Sequence, residues 1–286
     1  MHRPRDRWWT GLVLTLVFAL WPVALPSQAE DTLQIHFLNV GQSDATLIQL
    51  GHKGVLIDAG RGDDIVLLLQ DLGVDTLLAA IASHNHDDHI GGMDAVLADW
   101  PVGRYLYNGL DAPNRNAAAV LEWLDERGIP SPDPPWAPIV LGDAVIRVLP
   151  SPLEDQGDEN NASLVVLVER GRFRALLTGD SQVEELNALL AARLVGDVDV
   201  LKAAHHGARN GVTPGWLQRT RPEVVVISVG PNNYGHPDAW AMRYYQAGGR
   251  RVYRTDRDGT VTVTVEAGGR YEVSTEAGSE VTRSPN

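Results

Sequence analysis

The feature that most constrains this chain is a dense polar cluster, His84-Asn85-His86-Asp87-Asp88-His89, which follows a run of apolar residues. Residues 77–82 are apolar throughout and have the length of one buried β-strand. Gly91 and Gly92 then precede residues 93–97, which predict the opening turns of a helix. The cluster is therefore expected on a strand-to-helix loop, where α/β proteins commonly place their functional sites.

The spacing within this cluster suits metal ions. His84 and His86 are two residues apart, so an extended loop aims both imidazoles in the same direction. Asp88 and His89 come after the chain has turned and face a second point nearby. Imidazole and carboxylate suit Zn²⁺, Mn²⁺ or Fe, and the chain has no Cys to compete. A solvated surface loop is the alternative, but so many ligand-type side chains after a buried strand favour a metal site.

Five further stretches stand in the order found in a known protein family. Together with His84-x-His86-x-Asp88-His89 they resemble the metallo-β-lactamase-fold hydrolases, and among these the soluble hydrolase domain of ComEC-type competence proteins and its stand-alone exported relatives. The resemblance runs from residue 33 to residue 265. The five stretches are Asn39-Val40-Gly41-Gln42-Ser43-Asp44-Ala45, Asn160-Asn161-Ala162-Ser163-Leu164-Val165, Thr178-Gly179-Asp180, Leu201-Lys202-Ala203-Ala204-His205-His206-Gly207 and Asn233-Tyr234-Gly235-His236-Pro237.

The resemblance implies an α/β fold, the αββα four-layer sandwich, in which two sheets pack face to face with helices outside. The sequence pattern agrees, because both halves begin with strands and continue with a helix–strand alternation. We therefore expect one hydrolase domain over residues 31–275, with its site at one edge between the halves. Residues 276–286 are polar and are expected to form a flexible tail.

The resemblance also implies two divalent metal ions, Zn²⁺ or Mn²⁺, that share Asp180 and a bridging hydroxide. Asp88 would be a ligand of the second ion and would also orient the nucleophile. Asp58 would brace the metal loop from behind the ligands. From the residues alone, Asp180 could instead cap the helix that follows it, and Asp58 the helix predicted over residues 64–72. The two roles of Asp58 do not exclude each other.

His205 and His206 end the strand predicted over residues 198–204. Neighbouring side chains on an extended chain point in opposite directions, so one of the two is expected to bind the second metal ion directly. We slightly favour His205 for this role, with His206 supporting it or contacting the substrate. A surface pair of histidines is the alternative.

One family feature is missing from the sequence. Many members of the wider fold family have another ligand His before the bridging Asp, but this chain has none between Ile90 and Gly179. The ComEC-like branch has Asn160 and Asn161 there, and amide oxygens are weak ligands for Zn²⁺. We therefore expect both Asn to support the site from behind the ligands, or to serve a turn before a strand. His84, His86 and Asp180 would then hold the first ion with water, which favours Mn²⁺.

His236 lies in a Gly-, Asn- and Pro-rich loop after the strand predicted over residues 224–229. The resemblance implies a catalytic role for His236, either in contacting the substrate phosphate or in protonating the leaving group. A plain loop histidine is the alternative.

The N-terminus predicts export. Arg3, Arg5 and Arg7 precede an apolar run that ends in small residues, which is typical of a signal peptide over residues 1–29. A retained membrane anchor is the alternative, but the apolar run is near the lower limit for a span. After cleavage the chain would lack a membrane span and would be periplasmic or secreted. Nothing in the sequence defines its oligomeric state.

These observations predict an exported metal-dependent hydrolase, most directly a phosphodiesterase or nuclease. The formal charge of −13 becomes −15 when residues 1–29, with three Arg and one Asp, are removed, and this opposes nucleic-acid binding. Five arginines of the final third could offset it locally as one basic strip: Arg243, Arg250, Arg251, Arg254 and Arg257. The alternatives are a phosphodiesterase directed at the cell wall or at phosphocholine, and a metal-binding module without catalysis.

Overall fold

The computed structural model describes residues 32–110, 113–153, 158–278 and 282–283. The predicted signal peptide lies outside these ranges. Within them, none of the helices combines the length and the hydropathy that crossing a bilayer requires.

The first half of the chain places short strands and helices around the polar cluster. Its elements are β1 (Leu33–Phe37), β2 (Thr46–Leu50), β3 (Lys53–Ile57), α1 (Asp64–Asp71), β4 (Thr76–Ile81), α2 (Asp87–Ile90), α3 (Met93–Asp99), β5 (Tyr105–Leu106), α4 (Arg115–Arg127), β6 (Ile139–Leu141) and β7 (Ala144–Leu149).

The second half repeats this plan and ends in a β-meander. Its elements are β8 (Val165–Arg170), β9 (Phe173–Leu177), α5 (Val183–Ala191), β10 (Val200–Lys202), α6 (Pro214–Thr220), β11 (Val224–Ile227), α7 (Ala239–Gln246), β12 (Arg251–Arg254), α8 (Thr255–Asp258), β13 (Val261–Val265), β14 (Tyr271–Thr275) and β15 (Thr282–Arg283). β15 lies within residues 276–286, which the sequence predicts to be a flexible tail, and it pairs with β14.

The strands form two mixed sheets. The first sheet has the order β15-β14-β13-β1-β2-β3-β4-β5, and the second has the order β12-β11-β10-β9-β8-β7-β6. β3, β4 and β5 are parallel in the first sheet, and β9 to β12 are parallel in the second. The remaining pairs are antiparallel. Most of them join strands that follow one another in the chain, whereas β1 also pairs with the distant β13.

Three apolar layers hold these elements together. The inner layer lies between the two sheets, where alternate residues such as Ile35 and Phe37 face Val224 and Val226. A second layer packs the first sheet against α1, α3 and α4. A third packs the second sheet against α5, α6 and α7. The predicted αββα sandwich is therefore confirmed.

Two local elements differ from the sequence prediction. The alternation of apolar and polar residues predicts a first strand over residues 33–40, but β1 ends at Phe37. Leu38 N and Val40 N donate to Ala45 O and Leu38 O and turn the chain there. The polar cluster is not a continuous loop either. His86 is the N-cap of α2, so the cluster is extended in its first half and helical in its second half.

Candidate metal centre

The polar side chains predicted as site residues lie at one edge of the two sheets. β3 and β4 end there in the first sheet, and β9, β10 and β11 end there in the second, because parallel strands present their carboxyl ends together. The loops after these strands carry Asp58 after β3, His84, His86, Asp88 and His89 after β4, Asp180 after β9, His205 and His206 after β10, and His236 after β11.

Asp58 ties the end of β3 to the polar cluster. Its φ of 58° is left-handed and turns the carboxylate towards that cluster. The carboxylate accepts hydrogen bonds from Ser83 N at 2.7 Å, Ser83 Oγ at 2.8 Å and His89 Nδ1 at 2.8 Å. Asp63, and not Asp58, is the N-cap of α1. Asp58 therefore orients His89 and leaves its Nε2 free for a cation.

His84 and His86 face each other as the sequence spacing suggested. His84 Nε2 lies 3.0 Å from His86 Nδ1, and His84 Nδ1 lies 3.1 Å from Ser83 Oγ. Burial, together with the neighbouring His89, lowers the pKa of His84 well below its usual value. His84 is therefore a neutral imidazole, which is the form that binds metal.

Asp180 is the point where the two halves of the site meet. Its Oδ2 lies 3.3 Å from His89 Nε2, 3.7 Å from His206 Nε2 and 3.8 Å from His205 Nε2. Gly179 has a φ of +49°, and a Cβ there would lie 2.8 Å from Ser83 Cβ. The N-cap of α5 is Gln182. Asp180 thus faces the histidines, and glycine before it allows the loop to approach β4 closely.

His205 and His206 do not point in opposite directions, as an extended chain would predict. The chain is not extended here, because both residues have a left-handed φ of 52° within the 3₁₀ turn of Ala204–Gly207. Both imidazoles consequently approach Asp180. His206 is buried, and its Nδ1 donates to Ser228 O at 2.9 Å, which aims Nε2 at Asp88 Oδ2, 3.4 Å away. His205, the residue we favoured from the sequence, faces the opening of the site.

Asp44 belongs to this centre and was missed in the sequence analysis. Ligand atoms of Asp44, His89, Asp180 and His206 all lie within 4.8 Å of one another. Asp44 is buried and forms an ion pair with the buried Lys202. It precedes β2, whose antiparallel pairing with β3 brings it to the site edge. The sequence signal for Asp44 is the turn Gly41-Gln42-Ser43-Asp44, which belongs to the family resemblance but was not predicted to supply a ligand.

Several buried atoms of the centre lack a hydrogen-bond partner among the described residues. They include Asp180 Oδ1, His89 Nε2 and His206 Nε2. Burial lowers the pKa of His89, but the Asp180 and Asp58 carboxylates outweigh burial and raise this pKa well above its usual value. The carboxylates thus draw positive charge to this point, and a divalent cation would supply it in place of protons. The donor set fits Zn²⁺ or Mn²⁺.

The Asn160 and Asn161 segment supports the centre indirectly. Asn161 Oδ1 accepts hydrogen bonds from Gln182 N at 3.2 Å and Glu185 N at 3.4 Å, at the start of α5. Asn160 is buried, and its Oδ1 has no partner among the described residues. The neighbouring Glu159 is a further residue of the site that we did not predict. Its carboxylate accepts a hydrogen bond from Asn85 N at 2.8 Å and lies 3.8 Å from His86 Nε2.

An open cleft of about 510 Å³ adjoins the centre on the side of His205. The His236 ring lies 5.6 Å from the His205 ring, so the predicted catalytic histidine does reach the site. Burial and the neighbouring His205 lower the pKa of His236. The cleft also contains Arg209 and Tyr234.

The predicted basic strip does not line this cleft. Arg250 and Arg251 lie at the start of β12, at the edge opposite to the metal centre, and Arg254 pairs with Asp256. Arg61 is the arginine beside the ligands, 3.9 Å from Asp88. Arg61 is more than 20 residues from the polar cluster in sequence. Its place at the site becomes visible only in the structure, where the turn after β3 contacts α2.

Comparison with known proteins agrees with this geometry. Residues 38–231 match the Metallo-beta-lactamase superfamily model. The crystal structure of the metallo-beta-lactamase fold protein YhfI from Bacillus subtilis is similar, with a TM-score of 0.53 at 15% identity over 82% of this chain and 99% of that one. Tm1679, a metal-dependent hydrolase of the beta-lactamase superfamily, gives a TM-score of 0.55 at 14% identity over the same shares. These likenesses show the fold.

Curated relatives add the branch of the family. ComE operon protein 3 of Bacillus subtilis is 27% identical over 88% of this chain and 35% of its own length. Recombination protein 2 of Haemophilus influenzae is 31% identical over 76% of this chain and 26% of its own length. Competence protein ComA of Neisseria gonorrhoeae is 27% identical over 91% and 36%. This chain spans about a third of these relatives, and it belongs to the metallo-beta-lactamase superfamily as a ComEC-type domain.

Proposed function

We propose that this chain is a phosphodiesterase that cleaves nucleic acid with two divalent ions, Zn²⁺ or Mn²⁺. Family membership supports metal-dependent hydrolysis. The observation that carries the proposal is the position of Asp180 Oδ2, which lies within 3.8 Å of three imidazole nitrogens beside an open cleft. A carboxylate in this position suits a ligand shared by two cations.

Two groups of side chains would hold the ions. His84 and His86 lie 3.0 Å apart and would bind the first ion, together with Asp180 as the resemblance implies. Asp88, His89, Asp180 and His206 would bind the second, with Asp44 behind them. When bound, such ions lower the pKa of water, so that a nucleophile is available near neutral pH, and they offset negative charge on the phosphoryl group.

The residues around the ligands fix their orientation before substrate arrives. Asp58 holds the Nδ1–H of His89, and the Ser228 carbonyl holds the Nδ1–H of His206. Lys202 neutralises Asp44. Partners of this kind select the tautomer that offers Nε2 to the metal and prevent the ring from rotating. The centre is therefore organised by hydrogen bonds that do not depend on the substrate.

Groups at the mouth of the site suit an anionic substrate. Arg61 is 57% exposed in its side chain and lies 3.9 Å from Asp88, so it can bind a phosphate oxygen next to the centre. His205 and His236 lie on the other side, where an imidazole N–H would contact the phosphoryl oxygens or protonate the leaving oxygen. These cationic and donor groups supply local attraction within an acidic chain.

The cellular setting is part of the proposal. The signal peptide predicted over residues 1–29 supports export to the periplasm or the medium. The names of the relatives, a recombination protein and competence proteins, support nucleic acid as the substrate class.

The test compares two histidine variants. Wild type, His86→Ala and His52→Ala are loaded with Mn²⁺ or Zn²⁺ and assayed on bis(p-nitrophenyl) phosphate. We expect His86→Ala to lose at least about 100-fold in kcat/KM, since removal of a ligand disables the metal centre. His52 is the matched control, because its side chain is 71% exposed on the turn between β2 and β3.

A substrate panel completes the test with single-stranded DNA, double-stranded DNA and a choline phosphodiester. We expect DNA to be cleaved and the choline ester to be poor. Retention of wild-type turnover by His86→Ala would refute the assignment. A wild type that is inert with every metal and substrate would show a metal-binding module without catalysis.

A further inference from the structure

The cleft beside His205 presents an aromatic ring to solvent. Tyr234 is 70% exposed, and no other large aromatic side chain in the described ranges is exposed to this extent. Its ring lies nearly parallel to that of His236, with an interplanar angle of 20° and a centroid distance of 5.8 Å. One face of Tyr234 is thus supported by an imidazole, and the other remains open.

The loop around Tyr234 is held rigidly in spite of this exposure. Asn232 Oδ1 accepts hydrogen bonds from Tyr234 N at 3.1 Å and His236 N at 3.0 Å. Its Nδ2 donates to Gly230 O at 2.8 Å and His236 O at 2.9 Å. All four hydrogen-bonding positions of one amide are used to fix the loop. An aromatic ring on a fixed loop loses little entropy when it binds a ligand.

Arg209 places a positive charge in the same cleft. Its guanidinium carbon lies 5.2 Å from the centre of the Trp240 ring, a cation–π contact that holds the side chain against the cleft wall. In the part of the chain that the structure describes, no carboxylate forms an ion pair with Arg209. The guanidinium is therefore available for an anion, and its planar fork suits a phosphate.

These groups lie at a distance from the metal centre that suits a polymer. His205 Nε2 is 3.8 Å from Asp180 Oδ2, and ring-to-ring steps of 5.6 Å and 5.8 Å lead from His205 through His236 to Tyr234. The open ring thus stands beyond the reacting phosphate. Aromatic rings that stack on bases, combined with cations that contact the backbone, are how proteins bind single-stranded nucleic acid.

We infer that Tyr234, backed by His236, stacks on a base next to the scissile phosphate of a single-stranded nucleic acid, and that Arg209 binds a neighbouring phosphate. This inference rests on the proposed phosphodiesterase function and specifies its substrate. Single strands are required, because the faces of bases in a duplex are covered by their neighbours.

Binding is measured on metal-loaded protein with phosphorothioate-linked probes, which resist hydrolysis, and again in EDTA, so that neither turnover nor the charge of the empty centre decides the result. The probes are a fluorescent oligonucleotide of roughly ten nucleotides and an abasic deoxyribose-phosphate chain of equal length. We expect Tyr234→Ala to weaken binding of the oligonucleotide by about tenfold, and Tyr234→Phe by less than about twofold, because stacking needs the ring and not the hydroxyl. Binding of the abasic chain should be equal in all three proteins.

Arg209→Gln has a different expected signature. It should weaken binding of both probes equally and reduce the slope of log K against log salt by about one, as for a phosphate contact. Leu67→Ala and Arg193→Gln are the controls, since both residues are exposed and lie outside the cleft. Neither should change binding.

Equal binding of the oligonucleotide by wild type and Tyr234→Ala would overturn the inference. A loss of affinity for the abasic chain on Tyr234→Ala would overturn it too, because the ring would then not recognise bases. The inference would also be overturned if Tyr234→Ala slowed hydrolysis of the choline phosphodiester alone and left DNA cleavage unchanged. Hydrolysis of bis(p-nitrophenyl) phosphate by wild type, measured separately, shows whether the proposed function itself stands.

Discussion

Glu185 provides a quantitative test of how the site is supported. It lies in the first turn of α5, is fully buried, and neither carboxyl oxygen has a well-aligned hydrogen bond to a described residue. Burial raises its pKa to about 8 from 4.5, although the hydroxyls of Ser181 and Ser151 oppose this shift. Near neutral pH the folded protein therefore holds a proton that the unfolded chain releases.

The sign of the effect follows from this difference in bound protons. Between pH 4.5 and 8 the folded state binds more protons at Glu185, so the free energy of unfolding falls as pH rises. Between about pH 5 and pH 8 this group alone should remove roughly 3–4 kcal/mol of stability. Glu185→Gln is neutral at both pH values and of similar shape, so it should not lose this amount.

Urea unfolding in EDTA at pH 5 and pH 8 measures the effect without interference from metal binding. We expect the stability difference between Glu185→Gln and wild type to shift in favour of the variant by roughly 3 kcal/mol from pH 5 to pH 8. Glu184→Gln, an exposed neighbour on the same turn, should parallel wild type. If Glu185→Gln also parallels wild type within about 1 kcal/mol, burial of a neutral acid at this position is refuted.

Two other predictions concern the support of the metal loop. Asp58→Asn removes the charge that orients His89, and metal affinity in a chelator competition should fall by roughly 10–100-fold; an unchanged affinity would show that Asp58 is not needed for this. Gly91→Ala should lower the free energy of unfolding in urea by roughly 1–3 kcal/mol, because its Cβ would lie 2.5 Å from Asp87 O and 2.7 Å from Arg61 O. Gly62→Ala, with open space around its Cβ, is the control, and equal stabilities of the two variants would contradict this reasoning.

The fold was predictable because apolar runs of strand length alternate with polar turns through most of the chain. The motif residues were predictable in groups, since each group follows a strand that ends at the same edge. Arg115–Arg127 illustrates the local information, because a capping Asn114, an apolar stripe and Gly128 in a left-handed conformation all lie in the sequence itself.

The parts of the centre that could not be predicted depend on long-range geometry. Asp44 reaches the centre through the register of β2 on β3, which no local pattern encodes. The orientation of His205 and His206 depends on a left-handed turn that non-glycine residues rarely adopt. Arg209 enters the cleft by packing on Trp240, a contact between the segment after β10 and helix α7. Periodicity and spacing contain none of this information.

The charge balance of the centre supports the proposal of two cations. Asp44, Asp58, Asp88 and Asp180 bring four negative charges together, and Lys202 is a cation buried among them. Arg61 also lies beside Asp88, but its side chain is 57% exposed, so solvent and salt screen its charge and we leave it out of this balance. Uncompensated charge is costly in such an environment. A single divalent ion would leave the group negative and would repel a phosphodiester. Two ions would leave one positive charge, which a singly charged phosphodiester neutralises.

Elemental analysis of protein dialysed against Mn²⁺ or Zn²⁺ tests this argument directly. We expect about two equivalents per chain for wild type and a loss of metal on Asp180→Asn, because both ions would share this carboxylate. Lys202→Met removes the internal cation without removing a ligand, so it should retain bound metal, while the added negative charge weakens the attraction for phosphodiesters. A fully active enzyme with one equivalent of metal would contradict the charge balance, since the net charge at the centre would then oppose the substrate that the arginines at its mouth attract.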